Sequence, residues 1–209
     1  MQLISTLDLK KSEYLSKDRF ISYHHQLRLM FGLGNQVKNV LEIGVFNSLF
    51  TDILKKVGYN VTTADIDPNL QPDILLDLTS DFSLPKNFDA IVLFQVLEHL
   101  PYEKSEEALR KLAQFTNRYI VISIPYCAKF LGIQMRYSYV RRVRYFLFDI
   151  PKFWSVKPTC DQHYWEMGLK GYPKKRIVNS IKQAGLKVKS EFVDPSHPYH
   201  YFFVLEKDS

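Results

Sequence analysis

The strongest constraint on this chain is a set of short, almost uninterrupted apolar runs separated by segments of helical period. The runs are Val40–Gly44 (VLEIG), Phe88–Val96 (FDAIVLFQV) and Tyr119–Ile124 (YIVISI). A strand that is apolar at successive positions is buried on both faces, which is the habit of parallel strands covered by helices on either side. The intervening segments supply those helices. Phe50, Ile53, Leu54 and Val57 recur at helical spacing before Gly58, a natural helix stop, and Glu103 to Phe115 places Ala108, Leu109, Leu112 and Phe115 on one face. Two further strands, Val61–Asp65 and Ile74–Leu78, fall between them. Strands alternating with helices imply right-handed βαβ units, so the expectation is a doubly wound, mostly parallel α/β sheet with helices on both faces.

After Pro125 the alternation breaks. Residues 127–172 are dense in aromatic and basic side chains, with a strand-like period from Leu131 to Tyr139 and no clear period from Val140 onward. The regular scheme resumes with a helix at Lys174–Ala184, stopped by Gly185, and strands at Leu186–Val193 and Tyr201–Glu206, which brings the sheet to seven strands. A helix over Lys17–Phe31, ended by Gly32 and Gly34, precedes the first strand. The organisation expected is an N-terminal helical extension at 1–34 and one domain at 35–209, interrupted by the insertion at about 127–172.

In an open parallel sheet a ligand sits beyond the carboxyl ends of the strands. The register of a dinucleotide loop, G-x-G-x-x-G, reads Gly44, Phe46, Leu49 here, and no G-x-x-x-x-G-K-[ST] loop is present. Pyrophosphate and triphosphate cradles are therefore disfavoured. Asp65 ends the second strand, where a carboxylate can accept hydrogen bonds from both hydroxyls of a ribose. A nucleoside without a pyrophosphate fits these residues better.

VLEIG, ADIDP (Ala64–Pro68), FDAIVLFQVLEHL (Phe88–Leu100) and YIVISIP (Tyr119–Pro125), in this order and spacing, resemble class I S-adenosylmethionine-dependent methyltransferases of the type 11/12 methyltransferase-domain group. The likeness covers roughly residues 35–207. A narrower resemblance to uncharacterised prokaryotic methyltransferases adds SYHHQLRL (Ser22–Leu29), HYWEMGLKGYP (His163–Pro173) and HPYHYFFVLE (His197–Glu206). The resemblance implies a Rossmann-like fold, S-adenosyl-L-methionine as cofactor and methyl transfer as activity. It implies that Glu42 orients the cofactor's amino group or its loop, that Gly44 lets its methionine part approach, and that Asp65, with Ile66 beside it, holds the ribose. Asp77 and Leu78 would meet the adenine, and Gln95 would line the floor. The family loop reads E-x-G-x-G-x-G, whereas this chain carries Phe46 and Ser48 at the second and third glycines, so Phe46 is expected at the cofactor and the loop is expected to be narrowed.

The acceptor side is less constrained. His163, in DQHYWEMG, is the candidate general base if the acceptor must lose a proton. Tyr164, Arg141 and His200 are candidate acceptor contacts. Residues 127–190 carry 14 Lys/Arg against 3 Asp/Glu within a chain of net charge +6, and arginines interleave with aromatics from Lys129 to Lys157. That mixture favours a small acceptor with an anionic or amphipathic character, with peripheral membrane contact through 129–157 as a further expectation. An RNA acceptor is the enzymatic rival, disfavoured because no RNA-binding module is present. A non-catalytic cofactor-binding protein is the other rival, because of Phe46 and Ser48. Cys127 and Cys160 are expected to be ordinary thiols, and no metal set is expected from sequence spacing. No run reaches the roughly 18 apolar residues of a membrane span, and Met1–Lys11 lacks the pattern of a signal peptide, so the expected location is the cytoplasm.

Overall fold

The computed structural model describes residues 16–139 and 143–208. Seven strands form one sheet: β1 (Asn39–Ile43), β2 (Asn60–Asp65), β3 (Ile74–Leu75), β4 (Phe88–Phe94), β5 (Thr116–Pro125), β8 (Leu186–Asp194) and β9 (His197–Lys207). Their order across the sheet is β3-β2-β1-β4-β5-β9-β8. The first five run parallel, and β9 is antiparallel to both β5 and β8. The expected mostly parallel, seven-stranded α/β sheet is thus observed.

The three apolar runs occupy the centre and are buried on both faces because successive side chains point to opposite sides. Val40, Ala90, Val92, Tyr119 and Val121 face one side, where they pack with Met30 of α1 (Lys17–Gly32) and with Phe50 and Leu54 of α2 (Leu49–Lys56). Leu41, Ile43, Ile91, Leu93, Ile120, Ile122 and Ile124 face the other side. There they meet Ala108, Leu109 and Leu112 of α3 (Tyr102–Phe115) and Ile177 and Ile181 of α4 (Lys174–Gln183). Two helices on each face satisfy both surfaces of the sheet.

The insertion leaves the sheet at Pro125 and forms a separate two-stranded ribbon, β6 (Ala128–Met135) against β7 (Arg144–Pro151), paired antiparallel from Ala128↔Pro151 to Met135↔Arg144. Its first strand carries the alternation from Leu131 to Met135 and ends there, although the period in sequence runs on to Tyr139. Its second is a correction, since residues 144–151 (RYFLFDIP) are large on both faces and show no alternation. The connection at 140–142, including Arg141, lies outside the described residues. From Lys152 the chain returns across the carboxyl edge, where Cys127 N–H donates to the Met167 carbonyl at 2.8 Å and Tyr164 N–H donates to the Glu98 carbonyl at 2.8 Å. β9 also begins earlier than its apolar core suggests, at His197, because the sharp turn after Asp194 lets Asp194 pair with His197. No helix among the described residues is long and apolar enough to cross a membrane.

Candidate cofactor and acceptor site

Two clefts open at the carboxyl ends of the parallel strands, and Gly44 borders both. Its φ of +87° lies in a region closed to most side chains, and a Cβ built there would stand 2.5 Å from Val96 Cγ2. Glycine is therefore required by both backbone angle and space. The two positions where the family has glycine also keep positive φ, at +37° for Phe46 and +56° for Ser48. The loop holds its glycine-like path with ordinary residues, at the steric cost of the left-handed region.

The first cleft, about 170 Å³, is lined by Ile43, Gly44, Asp65, Ile66, Leu76, Asp77, Leu78, Thr79, Val96, His99 and Leu100. Its body is apolar and its rim acidic. Asp65 Oδ2 accepts from Val45 N–H at 2.8 Å and Oδ1 from Asp67 N–H at 3.0 Å, which ties the loop after β1 to the loop after β2. Each carboxylate oxygen still has lone-pair capacity for a further donor. Asp77 accepts from the backbone and hydroxyl of Thr79, and these hydrogen bonds hold its carboxyl below the usual range. Asp67 caps the short 3₁₀ turn at Pro68–Leu70, the turn role its Asp-Pro pair suggests.

The second cleft, about 70 Å³, is polar and is lined by Glu42, Gly44, Val45, Phe46, Asn47, Phe50, Phe94 and Gln95, together with Arg19, Ser22, Tyr23 and Gln26 of α1. Glu42 is buried and accepts from the Thr51 hydroxyl, while burial pushes its carboxyl up to about 7. Tyr23 Oη accepts from the Asn47 side-chain amide at 2.8 Å, so α1 also steadies the loop. All eight positions expected at the cofactor line one cleft or the other. The α1 residues were missed. The only signal for them was the polar spacing Arg19, Ser22/Tyr23, Gln26 along one helical face.

This donor set fits S-adenosylmethionine. An apolar slot suits a planar base, a carboxylate at the end of β2 suits ribose hydroxyls, and a polar pocket holding both Glu42 and Arg19 suits a zwitterionic amino acid.

On the acceptor side, the short 3₁₀ turn Leu97–His99 follows β4, with Glu98 fully buried and His99 at the first cleft. Burial pushes the Glu98 carboxyl up to about 8. His163 stands beside His99, with ring centroids 4.8 Å apart, and its Nδ1 lies 2.8 Å from Glu166 Oε1. Glu166 is fully buried and also accepts from Thr159 N–H at 2.9 Å and the Thr159 hydroxyl at 2.6 Å. His163 lines neither cleft and meets the first only through His99, which does line it. Tyr164 is exposed, and Trp165, next to it, is buried. His200 is a correction to its placement. It is buried behind the second cleft with Nδ1 2.8 Å from the Ser22 hydroxyl, and lines neither opening. His24 is exposed, and His25 is buried with its Nε2 hydrogen-bonded to Asp194.

A family model described as a methyltransferase domain matches residues 15–171. Among solved structures, the chain resembles magnesium protoporphyrin IX methyltransferase from Synechocystis with bound S-adenosylmethionine (TM-score 0.62, 12% identity, covering 100% of this chain and 86% of that one). It is similar to a sugar N-methyltransferase from Streptoalloteichus (TM-score 0.64, 13% identity, 100% and 95% covered). A third likeness is to an N-methyltransferase from Bradyrhizobium japonicum in complex with S-adenosyl-L-homocysteine (TM-score 0.62, 14% identity, 93% and 89% covered). No protein of curated function matches by sequence.

Proposed function

The chain belongs to the methyltransferase-domain family and is an S-adenosylmethionine-dependent methyltransferase, and from that premise we propose that its acceptor is a small molecule with an amphipathic, anionic character. The cofactor supplies an electrophilic methyl group on a sulfonium. The protein's part is to hold acceptor and cofactor in line and to exclude water, with a proton acceptor needed only where the acceptor must be deprotonated.

The observation that carries this reading is the ribbon. On one face Leu131 pairs with Phe148 and Ile133 with Phe146, and all four side chains are exposed, as are Met135 and Ile150 beside them. A contiguous apolar stripe of this kind on a water-exposed ribbon marks a surface for an apolar ligand or an interface. Lys129 pairs with Ile150 and Arg144 with Met135 at the two ends of the stripe, and Arg136, Lys152 and Lys157 follow the ribbon's strands in sequence. Apolar body and basic surroundings together match an amphipathic acceptor, met either as a free molecule or at an anionic membrane surface. Arg141, a candidate contact from the sequence, lies outside the described residues. The small molecules named in the likenesses above agree with a small acceptor, while a basic stripe alone gives RNA no specific module.

We assign activation of the acceptor to the polar cluster around His163 at the cleft's edge. His163→Ala should lower turnover by about 10²- to 10⁴-fold while S-adenosylhomocysteine affinity in calorimetry stays near wild type. Phe146→Ser with Phe148→Ser should raise the acceptor's KM or remove binding to anionic vesicles. Unchanged acceptor kinetics and vesicle binding in that double variant would sink the amphipathic reading.

A further inference from the structure

The turn at Leu97–His99 and the segment carrying His163 are locked together by the Tyr164 N–H bond to the Glu98 carbonyl and by Trp165 Nε1, which donates to Ser105 Oγ at 3.3 Å. Ser105 Oγ in turn donates to the Leu97 carbonyl at 2.7 Å. This junction gathers Glu98, His99 and His163 so that one ligand atom from each lies within 4.8 Å of the others.

The protonation pattern is set from behind. His99 Nδ1 lies 3.2 Å from the Gln162 carbonyl and His163 Nδ1 lies 2.8 Å from Glu166 Oε1, both acceptors. Each Nδ1 therefore carries the proton, and each Nε2 is left with its lone pair. Beside these rings sits Glu98, fully buried, whose Oε2 has no hydrogen-bond partner. With its oxygen facing Ser123 Oγ and Ile124 N–H, the Gln95 amide donates to Glu98 Oε1 at 3.3 Å, which leaves Oε2 still unserved. A buried carboxyl oxygen without a hydrogen-bond partner is costly, and a cation shared with the two imidazole lone pairs would satisfy all three groups at once.

We propose that Glu98, His99 and His163 bind one divalent first-row transition ion, with Glu166 and the Gln162 carbonyl orienting the two imidazoles from behind. Three ligands around one such ion stand about 2.8–3.6 Å apart for bonds of about 2.0–2.2 Å in octahedral or tetrahedral geometry, so side-chain rotations that shorten the present separations close the cluster. Two imidazoles and one carboxylate suit manganese, iron, cobalt or zinc rather than magnesium or calcium, which take oxygen ligands. Three protein ligands leave open positions, and His99 lines the first cleft with Gly44 and Asp65. Resting on the methyl-transfer reading, this narrows the acceptor to one that chelates through oxygen. The ion lowers the pKa of a coordinated hydroxyl, the proton leaves to solvent, and His163 serves deprotonation as a ligand rather than as a free base.

The test uses untagged protein stripped with a chelator and titrated with Mn²⁺ by electron paramagnetic resonance and with Zn²⁺ by calorimetry. One ion per chain is expected. His99→Ala, at an exposed position, and Glu98→Gln, an isostere, should each abolish the site, Glu166→Gln should weaken it about 10- to 100-fold, and His24→Ala should leave it intact. Absence of stoichiometric binding, or binding indifferent to His99→Ala and Glu98→Gln, overturns the inference. S-Adenosylhomocysteine titrated into the same stripped protein keeps the two ideas separate. Cofactor binding without ion binding defeats the ion site alone, whereas ion binding without cofactor binding supports the site and defeats the methyl-transfer reading.

Discussion

Glu42 and Glu98 are the buried carboxyls that tie stability to pH, and Glu42 is the one that lines a cleft. Its carboxyl is pushed from about 4.5 to about 7 by burial, against the opposing Thr51 hydrogen bond. The folded protein holds this proton more tightly than the unfolded chain, so the group's contribution is full below about pH 4.5 and is lost as the pH rises through about 7. At 1.36 kcal/mol per pH unit the loss is on the order of 3 kcal/mol. Urea unfolding of cofactor-free protein at pH 5 and pH 8 should show that decline, and Glu42→Gln should flatten much of it. An equal pH profile in the variant would remove Glu42 as its source. Phe46 offers a second test, because it holds φ +37° while 46% exposed beside the polar cleft. Glycine takes that angle freely, so Phe46→Gly should leave S-adenosylhomocysteine affinity unchanged or tighter. A loss above tenfold in a folded variant would mean that the ring itself contacts the cofactor.

At the scale of elements, α1 belongs to the site as much as to the core. Met30 is buried against the sheet, while Arg19, Ser22, Tyr23 and Gln26 wall the polar cleft. Ser22 and His25 reach back to His200 and Asp194 of the last two strands, so the helix is held by both ends of the sequence. The Tyr23 bond to Asn47 passes that hold to the loop after β1. Tyr23→Phe removes one neutral hydrogen bond, about 0.5–1.5 kcal/mol. S-Adenosylhomocysteine should therefore bind about 2- to 12-fold more weakly by calorimetry, with little change in unfolding midpoint. Unaltered affinity would show that α1 does not position the loop.

For the whole molecule, the cofactor clefts exist only when β1, β2, β4 and α1 are assembled, so the ligand should favour the folded state. At 100 times its dissociation constant, S-adenosylhomocysteine should add about 2.7 kcal/mol. For a chain of this size that is a rise in Tm of about 5–11 °C. No shift at millimolar ligand would contradict the site. The sheet, its helices and the eight positions expected at the cofactor, which line the two clefts, were legible in the sequence because parallel strands buried on both faces leave continuous apolar runs, and cleft residues follow directly after those runs. β7 was not legible, because Tyr145 and Leu147 on its other face are as large as Phe146 and Phe148, which erases the period. The sequence also could not place α1 against the polar cleft, pair His25 with Asp194, or bury His200 behind Ser22. Nor could it bring His163 to Glu98 and His99, since that meeting depends on how the chain returns across the sheet after a whole helix, a strand and the ribbon. Local period fixes which segments become strands and helices, but contacts between distant segments arise from packing, and those contacts decided which residues meet around His163.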